Sequence, residues 1–240
     1  QRSPTRARAL VGERCKVLAF AWVGNVMGAV QPARELVALG KSRGALVVVD
    51  AAQAAPHFAL RLAELGCDAA AFSSHKLLGP SGLGVLWARE ALLEDLPPWQ
   101  LGGGMISRVS AEAVSWNRLP WKFEAGTPAI AEAVGFAAGV DYLTALGMDA
   151  VRAHERDLTA YALAALRALR SVPGLKLYGP QGAEGRVALF SFALEGADPG
   201  DLGALLDAQG LELRTGHHCC QPLMDSLGVP GLVRASAYLY

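Results

Sequence analysis

Two hydrophobic periodicities alternate along the first half of this chain, and they predict strands and helices in turn. Short, almost uninterrupted apolar runs, typical of strands buried on both faces of a sheet, occupy residues 16–22, 45–50, 68–73 and 84–88. Helical periodicity covers residues 33–43, which begin after Pro32, and residues 60–65, which end at Gly66. Strands that alternate with helices predict right-handed crossovers, a mostly parallel sheet and an α/β fold.

The second half of the chain has a different pattern, which predicts a second, smaller domain. Long helical patterns cover residues 128–146 and 149–170, and a helix at 199–209 separates predicted strands at 187–193 and 211–214. Residues 97–127 contain three consecutive glycines and three of the five tryptophans, which indicates an irregular functional loop region. We expect a partial large domain at residues 1–130, a connecting helix at 131–150 and a small α+β domain at 151–240.

Composition excludes several classes of protein. Lys plus Arg and Asp plus Glu both number 22, and this zero net charge argues against a nucleic-acid-binding protein. A hydrophobic fraction of 52% with only 18% charged residues excludes a disordered chain. No uncharged apolar run approaches the roughly 18 residues of a membrane span, so no membrane association is expected. Four irregularly spaced cysteines favour a reducing compartment, and we expect a cytoplasmic location, with an organelle as the alternative.

Polar side chains follow three of the predicted strands and suggest a ligand site. They are Asn25, then Asp50 with Gln53, then the run Ser73-Ser74-His75-Lys76. In open α/β sheets, ligands bind beyond the carboxyl ends of the strands. Taken singly, Asp50 is explained equally well as the N-cap of a helix, and Lys76 as a surface lysine.

Together, these strand ends suit one ligand. A ring nitrogen would pair with Asp50, a phosphate with Ser73 and His75, and a carbonyl carbon with the amine of Lys76. Pyridoxal phosphate has all three groups. The run from His217 to Cys220 does not predict a metal site, because four consecutive residues cannot all face one tetrahedral ion.

Several longer motifs carry a resemblance to a known family. They are Asp50-Ala-Ala-Gln53, Phe72-Ser-Ser-His-Lys76-Leu-Leu-Gly-Pro80-Ser-Gly-Leu-Gly84, Pro98-Trp99, Gly102-Gly-Gly-Met105-Ile106, Phe123-Glu-Ala-Gly-Thr-Pro128 and Arg214-Thr-Gly-His-His-Cys219. The chain resembles the class V aminotransferases, which have the fold-type I architecture of pyridoxal-phosphate enzymes. The last motif is similar to that of the cysteine desulfurases, in the SufS/selenocysteine-lyase-like group. The resemblance runs from about Val17 to the last residue.

The resemblance implies a role for each residue around the cofactor ring. Lys76 is similar to the lysine that forms the Schiff base and moves the Cα proton of the substrate. Asp50 resembles the partner that keeps the pyridine nitrogen protonated. Gln53 resembles the donor to the 3-oxygen of the ring, and Asn25 a second ligand near that oxygen and the substrate carboxylate.

Further positions are assigned by the same resemblance. Ser73 and His75 resemble phosphate ligands. Thr127 is similar to a threonine that reaches the phosphate of a neighbouring subunit, which implies a homodimer with shared active sites. Arg214 and Arg234 resemble the arginines that bind the substrate carboxylate, a task suited to a bidentate guanidinium.

The expected activity is that of a cysteine desulfurase. L-cysteine would become L-alanine while Cys219 takes the sulfur as a persulfide and passes it to a sulfur-acceptor protein, for iron–sulfur cluster or thio-cofactor assembly. Cys220 is expected to be a spectator, with a competing persulfide acceptor as the alternative. The two histidines of the loop either favour the Cys219 thiolate or are packing residues.

Three other functions remain open at this stage. They are a selenocysteine lyase acting on L-selenocysteine, another class V pyridoxal-phosphate enzyme, and an inactive truncated fragment. The resemblance implies that the upstream part of the large domain and the last helices of the small domain are absent from this sequence. The functional expectation therefore refers to the full-length protein.

Overall fold

The first of two main β-sheets lies in the amino-terminal half of the computed structural model, which describes residues 4–239. Its strands stand in the order β1 (Val17–Ala21), β2 (Leu46–Asp50), β3 (Ala69–Ser73) and β4 (Gly84–Ala88). Strands β1 to β3 are parallel, and β4 runs antiparallel to β3. Helices α1 (Pro4–Leu10), α2 (Ala33–Ser42) and α3 (Leu62–Leu65) accompany this sheet. The predicted α/β class is confirmed, although the sheet is mixed at β4.

Close packing of α2 on the sheet explains why the β2 sequence is so apolar. Val47 and Val49 are fully buried, because β2 is hydrogen-bonded on both edges and covered on its face. A Cβ atom added at Gly40 of α2 would lie 2.6 Å from Val47 Cγ2, so only glycine allows this approach. α3 ends at Gly66, whose left-handed conformation (φ 84°) stops the helix as the sequence predicts.

The middle of the chain forms a hairpin and two long helices. After α4 (Glu90–Asp95), strands β5 (Ile106–Val109) and β6 (Val114–Trp116) pair antiparallel. The irregular loop region predicted at residues 97–127 therefore contains a short hairpin. Helices α5 (Ile130–Leu146) and α6 (Met148–Ala168) follow. Within residues 4–239, no single helix is long and apolar enough to cross a membrane, and only α5 and α6 together, bent by 76°, meet that test of length and composition.

The second main sheet is antiparallel throughout. It contains β7 (Leu175–Tyr178), β8 (Leu189–Leu194), β9 (Arg214–Gly216) and β10 (Leu232–Ser236), in the spatial order β7-β8-β10-β9. Helices α7 (Pro199–Asp207) and α8 (Gln221–Leu227) connect its strands. The strand predicted at residues 211–214 lies later in the chain, at Arg214–Gly216, because the Leu211 N–H bonds the Leu206 carbonyl in the turn that closes the end of α7. The division at residues 130 and 150 stays a prediction.

A buried carboxylate joins four elements of the first sheet and leads to a prediction about acid stability. Asp68 contacts the Lys41 ammonium, accepts the Val47 N–H at 2.8 Å and lies 3.6 Å from Arg89 Nε. Burial alone would raise the pKa of Asp68, but Lys41, the Val47 N–H and Arg89 outweigh it, so the pKa is lowered. The stabilisation is therefore complete above the ordinary carboxyl pKa and is lost as pH falls through the lowered pKa of the folded state.

We expect the substitution Asp68→Asn to lower the free energy of unfolding at neutral pH by about 1.5–3 kcal/mol, the contribution of hydrogen bonds to a charged group. The difference between the variant and the unsubstituted protein should shrink as the pH approaches 3, which is checked by urea denaturation at several pH values. A difference that is constant with pH would contradict this account of Asp68.

Candidate functional site

Strand register brings the predicted site residues of the first sheet to one edge. Asp50, the last residue of β2, lies level with Ala21 of β1 and Ala71 of β3. Asn25 follows β1, Gln53 follows β2, and Lys76 closes a 3-10 turn directly after β3. The carboxyl ends of three parallel strands therefore present a carboxylate, two amides and an amine at the same edge of the sheet.

Asp50 is not the N-cap of a helix. It is exposed at the end of the apolar strand β2. Its Oδ1 atom accepts the Ala52 N–H at 2.9 Å, but residues 51–57 form successive turns and no helix, so the N-cap interpretation is wrong. Outside that one hydrogen bond, the carboxylate faces the open strand edge and can pair with a ligand.

Ser74 determines the shape of the loop that carries Lys76, a role that no motif in the sequence predicts. Its side chain is fully buried, and its hydroxyl lies 3.0 Å from the Leu83 carbonyl and also contacts that of Pro80. These bonds close the segment between Lys76 and β4 onto the end of β3. A hydroxyl placed directly after a buried strand was the only available signal.

Helix α5 packs against the same loop through its glycines. A Cβ atom at Gly139 would lie 2.8 Å from the Leu77 carbonyl oxygen, and one at Gly135 would lie 2.7 Å from Pro80 Cγ. Both contacts are shorter than real Cβ contacts allow, and at Gly139 the neighbour is backbone that cannot rotate away. Gly139 therefore sets the distance between α5 and the residues that follow Lys76.

We expect Gly139→Ala to destabilise the protein by about 1–3 kcal/mol, the usual cost of overpacking, and to weaken the binding of any ligand of Lys76. Thermal unfolding and ligand titration measure the two effects. Gly12→Ala is the matched control, because nothing lies within 4 Å of a Cβ atom there. Equal effects of the two substitutions would show that the approach of α5 is unimportant.

Two arginines of the second sheet face each other without a carboxylate partner. Arg214 of β9 and Arg234 of β10 are directly opposite in the antiparallel register. Burial and then the charge of Arg214 lower the pKa of Arg234, whose Nε atom is buried without a hydrogen-bond partner. Within the described part of the chain, neither guanidinium forms a salt bridge. Two adjacent unpaired cations favour an anion such as a substrate carboxylate.

Asn25 connects this arginine pair to the first sheet. Its carbonyl oxygen accepts a hydrogen bond from Arg234 Nη1 at 2.7 Å, and its side-chain amide donates to the His218 carbonyl at 2.9 Å. One residue therefore holds the end of β1, strand β10 and the loop of Cys219 together. These are direct contacts between site residues that lie far apart in the sequence.

The cysteine loop lies between β9 and α8. Cys219 is exposed and has a left-handed backbone conformation (φ 55°), as has His218 (φ 52°). Burial and then Arg234 lower the pKa of His218, whose Nε2 atom lies 3.1 Å from the Leu232 carbonyl oxygen. His218 is therefore a neutral packing residue at neutral pH and adds no positive charge beside the thiol.

Cys220 has a different environment from its neighbour. It is half-buried and packs with Leu223 on the apolar cluster that contains Met224 and Leu232. This placement favours the interpretation that Cys220 takes no part in sulfur transfer, because Cys220 packs against the core while Cys219 is exposed.

The remaining predicted site residues divide between the strand edge and a separate surface. Ser73 is half-buried and His75 is exposed, both at the carboxyl end of β3. Thr127 is exposed after Gly126, whose N–H donates to the Gly103 carbonyl at 2.8 Å. None of the hydrogen bonds described within residues 4–239 joins Thr127 to the other predicted site residues.

The donor set at the strand edge fits pyridoxal phosphate. Lys76 is half-buried, and its ammonium forms no salt bridge with a described carboxylate, so the amine is available to a carbonyl. Asp50 can pair with a ring nitrogen, Gln53 with a ring oxygen, and Ser73 with His75 can donate to a phosphate.

Known proteins resemble this chain in both sequence and structure. A probable cysteine desulfurase from Streptomyces coelicolor is 47% identical over 96% of this chain and 54% of its own length. The apo structure of a cysteine desulfurase from Thermococcus onnurineus superposes with a TM-score of 0.93 at 36% identity, covering 99% of this chain and 58% of that protein. The cysteine desulfurase CsdA (S-sulfonic acid) from Escherichia coli superposes with a TM-score of 0.89 at 34% identity, over 98% and 57%.

The extent of these matches decides what they establish. The chain spans about half the length of the curated relatives it matches, 54% for the relative from Streptomyces coelicolor. The protein family described as "Aminotransferase class-V" matches residues 1–240, which is the whole chain. Because the family match, the fold and the strand-edge donor set agree, this chain belongs to the class-V aminotransferase family.

Proposed function

We propose that the full-length protein is a pyridoxal-phosphate-dependent cysteine desulfurase, which converts L-cysteine to L-alanine and holds the sulfur on Cys219. One observation carries the proposal. The hydrogen bond from Asn25 to the His218 carbonyl, 2.9 Å long, ties the loop of an exposed thiol to the edge that presents Lys76 and Asp50. A class V enzyme without thiol chemistry has no use for a cysteine at that position.

The strand edge supplies the groups that would hold the cofactor. When bound, pyridoxal phosphate supplies an electron sink for the electrons of the substrate Cα–H bond. Lys76 Nζ would hold the carbonyl carbon until the substrate amine displaces it, and the released amine would then accept the Cα proton of the substrate. Asp50 keeps the ring nitrogen protonated, and Gln53 donates to the ring oxygen. Ser73 and His75 bind the phosphate.

The second sheet supplies the groups for the substrate. Arg214 and Arg234 bind the carboxylate of L-cysteine, and Asn25 fixes Arg234 through its carbonyl oxygen. The Cys219 thiolate is the nucleophile. It forms a bond to the substrate sulfur while the C–S bond of the substrate breaks. One protein thiol and one L-cysteine thus yield one persulfide and one L-alanine, with no external oxidant.

A second copy of the chain is the partner that we propose for the surface around Thr127. Trp99 and Leu101 are 91% and 72% exposed, and Ile130 and Val134 of α5 are 61% and 69% exposed. The hydrogen bond from the Gly126 N–H to the Gly103 carbonyl, 2.8 Å long, connects the segment after Leu101 to the segment that contains Thr127 and leads into α5. An apolar surface of this kind marks a protein interface, and a homodimer would place Thr127 beside the phosphate of its partner.

The exposed thiol also supports a sulfur-acceptor protein as a further partner. Cys219 lies at the surface, so a persulfide there can be attacked by an acceptor thiol without unfolding of the loop. A half-buried Cys220 offers no such access. L-selenocysteine is the alternative substrate, and a comparison of the two amino acids in the same assay distinguishes a desulfurase from a selenocysteine lyase.

Alanine formation tests the proposal directly. The full-length protein is loaded with pyridoxal phosphate and supplied with L-cysteine, and L-alanine is quantified for Cys219→Ser and for the control Cys15→Ser. We expect Cys219→Ser alone to lose cysteine turnover, because Cys15 lies before the amino end of β1, whereas the site lies at the carboxyl ends of the strands. Unchanged turnover in Cys219→Ser would identify a lyase that dispenses with the thiol.

A further inference from the structure

A buried carboxylate on α6 contacts its own helix and two other segments of the chain. Glu155 has a side chain only 2% exposed, and its Oε2 atom lies 2.8 Å from Arg152 Nη1. Its Oε1 atom lies 2.8 Å from His57 Nδ1 and accepts the Ala188 N–H at 3.0 Å. None of these residues belongs to the site described above, but His57 and Ala188 each lead to an element that carries part of it.

His57 leads to the segment that follows β2. Residues 51–58 are held by internal hydrogen bonds, since the Ala51 carbonyl accepts the N–H of Ala54 and of Ala55, and the Ala54 carbonyl accepts the N–H of His57. Ala51 and Ala54 are fully buried. A shift at His57 is therefore transmitted along a stiff segment to Gln53.

Ala188 leads to the second sheet. Its carbonyl oxygen accepts the Ala237 N–H at 2.8 Å, directly beyond β10. Within β10, Arg234 lies opposite Ser191 of β8 in the antiparallel register. The Glu155 carboxylate therefore bonds to the strand pair that carries the proposed substrate arginine.

The charge of Glu155 is maintained in spite of its burial. Burial alone would raise its pKa, but the contacts with His57, Ala188 and Arg152 outweigh this and lower it. Arg152 also donates to the Arg186 carbonyl at 2.9 Å and lies 5.0 Å from the ring centre of Phe58. Since buried ion pairs add little net stability compared with apolar packing, a geometric role explains this cluster better.

We propose that Glu155 is a positioning residue that sets the separation between Gln53 and Arg234, and thus between the cofactor ring and the substrate carboxylate. This inference rests on the proposed function for the identity of the two ligands. The link between Glu155, His57 and Ala188 does not depend on the proposed function, because it consists of contacts within this chain.

The test compares Glu155→Gln with Glu184→Gln in the full-length protein. Glu184 is the matched control, because it pairs with Arg156 of the same helix but is 77% exposed. We expect Glu155→Gln to accelerate amide exchange at Ala54, Ala55 and His57 and to lower kcat/KM for L-cysteine by about ten- to a hundredfold, as expected for a misplaced group. The larger part of that loss should be a higher KM, together with a shifted absorbance maximum of the bound cofactor.

His57→Phe provides a second variant if Glu155→Gln does not fold. It removes only the link to the segment after β2, since the contacts of Glu155 with Arg152 and Ala188 remain. The proposal is overturned if every variant that folds loses only thermal stability and keeps the KM, the absorbance maximum and the amide exchange of the unsubstituted protein. A protein that does not turn over L-cysteine at all would refute the proposed function, and amide exchange without cofactor would still test the link.

Discussion

Substitution of Lys76 by alanine should reduce the rate of alanine formation from L-cysteine by about a hundredfold to ten-thousandfold. This is the usual contribution of a positioned proton-transfer group. The loss has two causes. In the proposed mechanism, the Lys76 amine, which lies in the turn after β3, binds the cofactor and also removes the Cα proton of the substrate. Both tasks need an amine at the strand edge, where no described carboxylate neutralises it. Rates of L-alanine release from the cofactor-loaded, full-length protein measure the effect.

Lys16→Ala is the matched control for this experiment. Lys16 is exposed immediately before β1, and we assign its side chain no role. The control should retain full activity and the absorbance of bound cofactor. Alanine formation that survives Lys76→Ala would eliminate Lys76 as the proton-transfer group and with it the proposed mechanism.

Substitution of Arg234 by glutamine should lower kcat/KM for L-cysteine by about ten- to a hundredfold, equivalent to the 1.5–3 kcal/mol of a charge-assisted hydrogen bond. Arg234 is half-buried, it faces Arg214, and its Nε atom lacks a partner in the protein. The substrate carboxylate would neutralise the two facing guanidinium groups and would accept hydrogen bonds from Arg234. The loss should be smaller for a cysteine analogue without a carboxylate, since that analogue never uses the guanidinium.

Arg156→Gln is the control for the loss of an arginine. Arg156 pairs with Glu184 on the exposed side of α6, away from β10. Its substitution should leave kcat/KM unchanged. If Arg234→Gln weakens both substrates equally, Arg234 supports the loop through Asn25 and does not bind the carboxylate.

Local sequence patterns predicted the first sheet well, because each of its strands is a continuous apolar run bounded by turn residues. The second sheet was harder to predict. The short strand Leu175–Tyr178 follows Pro173-Gly174, and the strand Leu232–Ser236 contains the charged Arg234, so neither has a clear apolar pattern. The strand expected at residues 211–214 begins only at Arg214, because the preceding residues form the turn that closes helix α7.

The site shows the same division between local and distant information. Residues that react or bind ligands follow strand ends and motifs, so Lys76, Asp50 and Cys219 could be proposed from the sequence. Residues that hold those groups in place could not. Ser74 looks like an ordinary small residue, and Glu155 like a charge on a helix surface, until the fold brings His57 and Ala188 to it. The roles of Lys76, Asp50 and Cys219 in the reaction stay predictions, as do the positioning roles of Ser74 and Glu155.

The most direct measurement is the location of sulfur after a single turnover. The full-length, cofactor-loaded protein is mixed with an equimolar amount of L-cysteine, its thiols are alkylated, and the peptide that contains Cys219 and Cys220 is fragmented in a mass spectrometer. We expect one additional sulfur atom on Cys219, because Cys219 is exposed while Cys220 packs against the core. One L-alanine should be released for each persulfide. Release of L-alanine with the sulfur on Cys220, or on neither cysteine, would contradict the account.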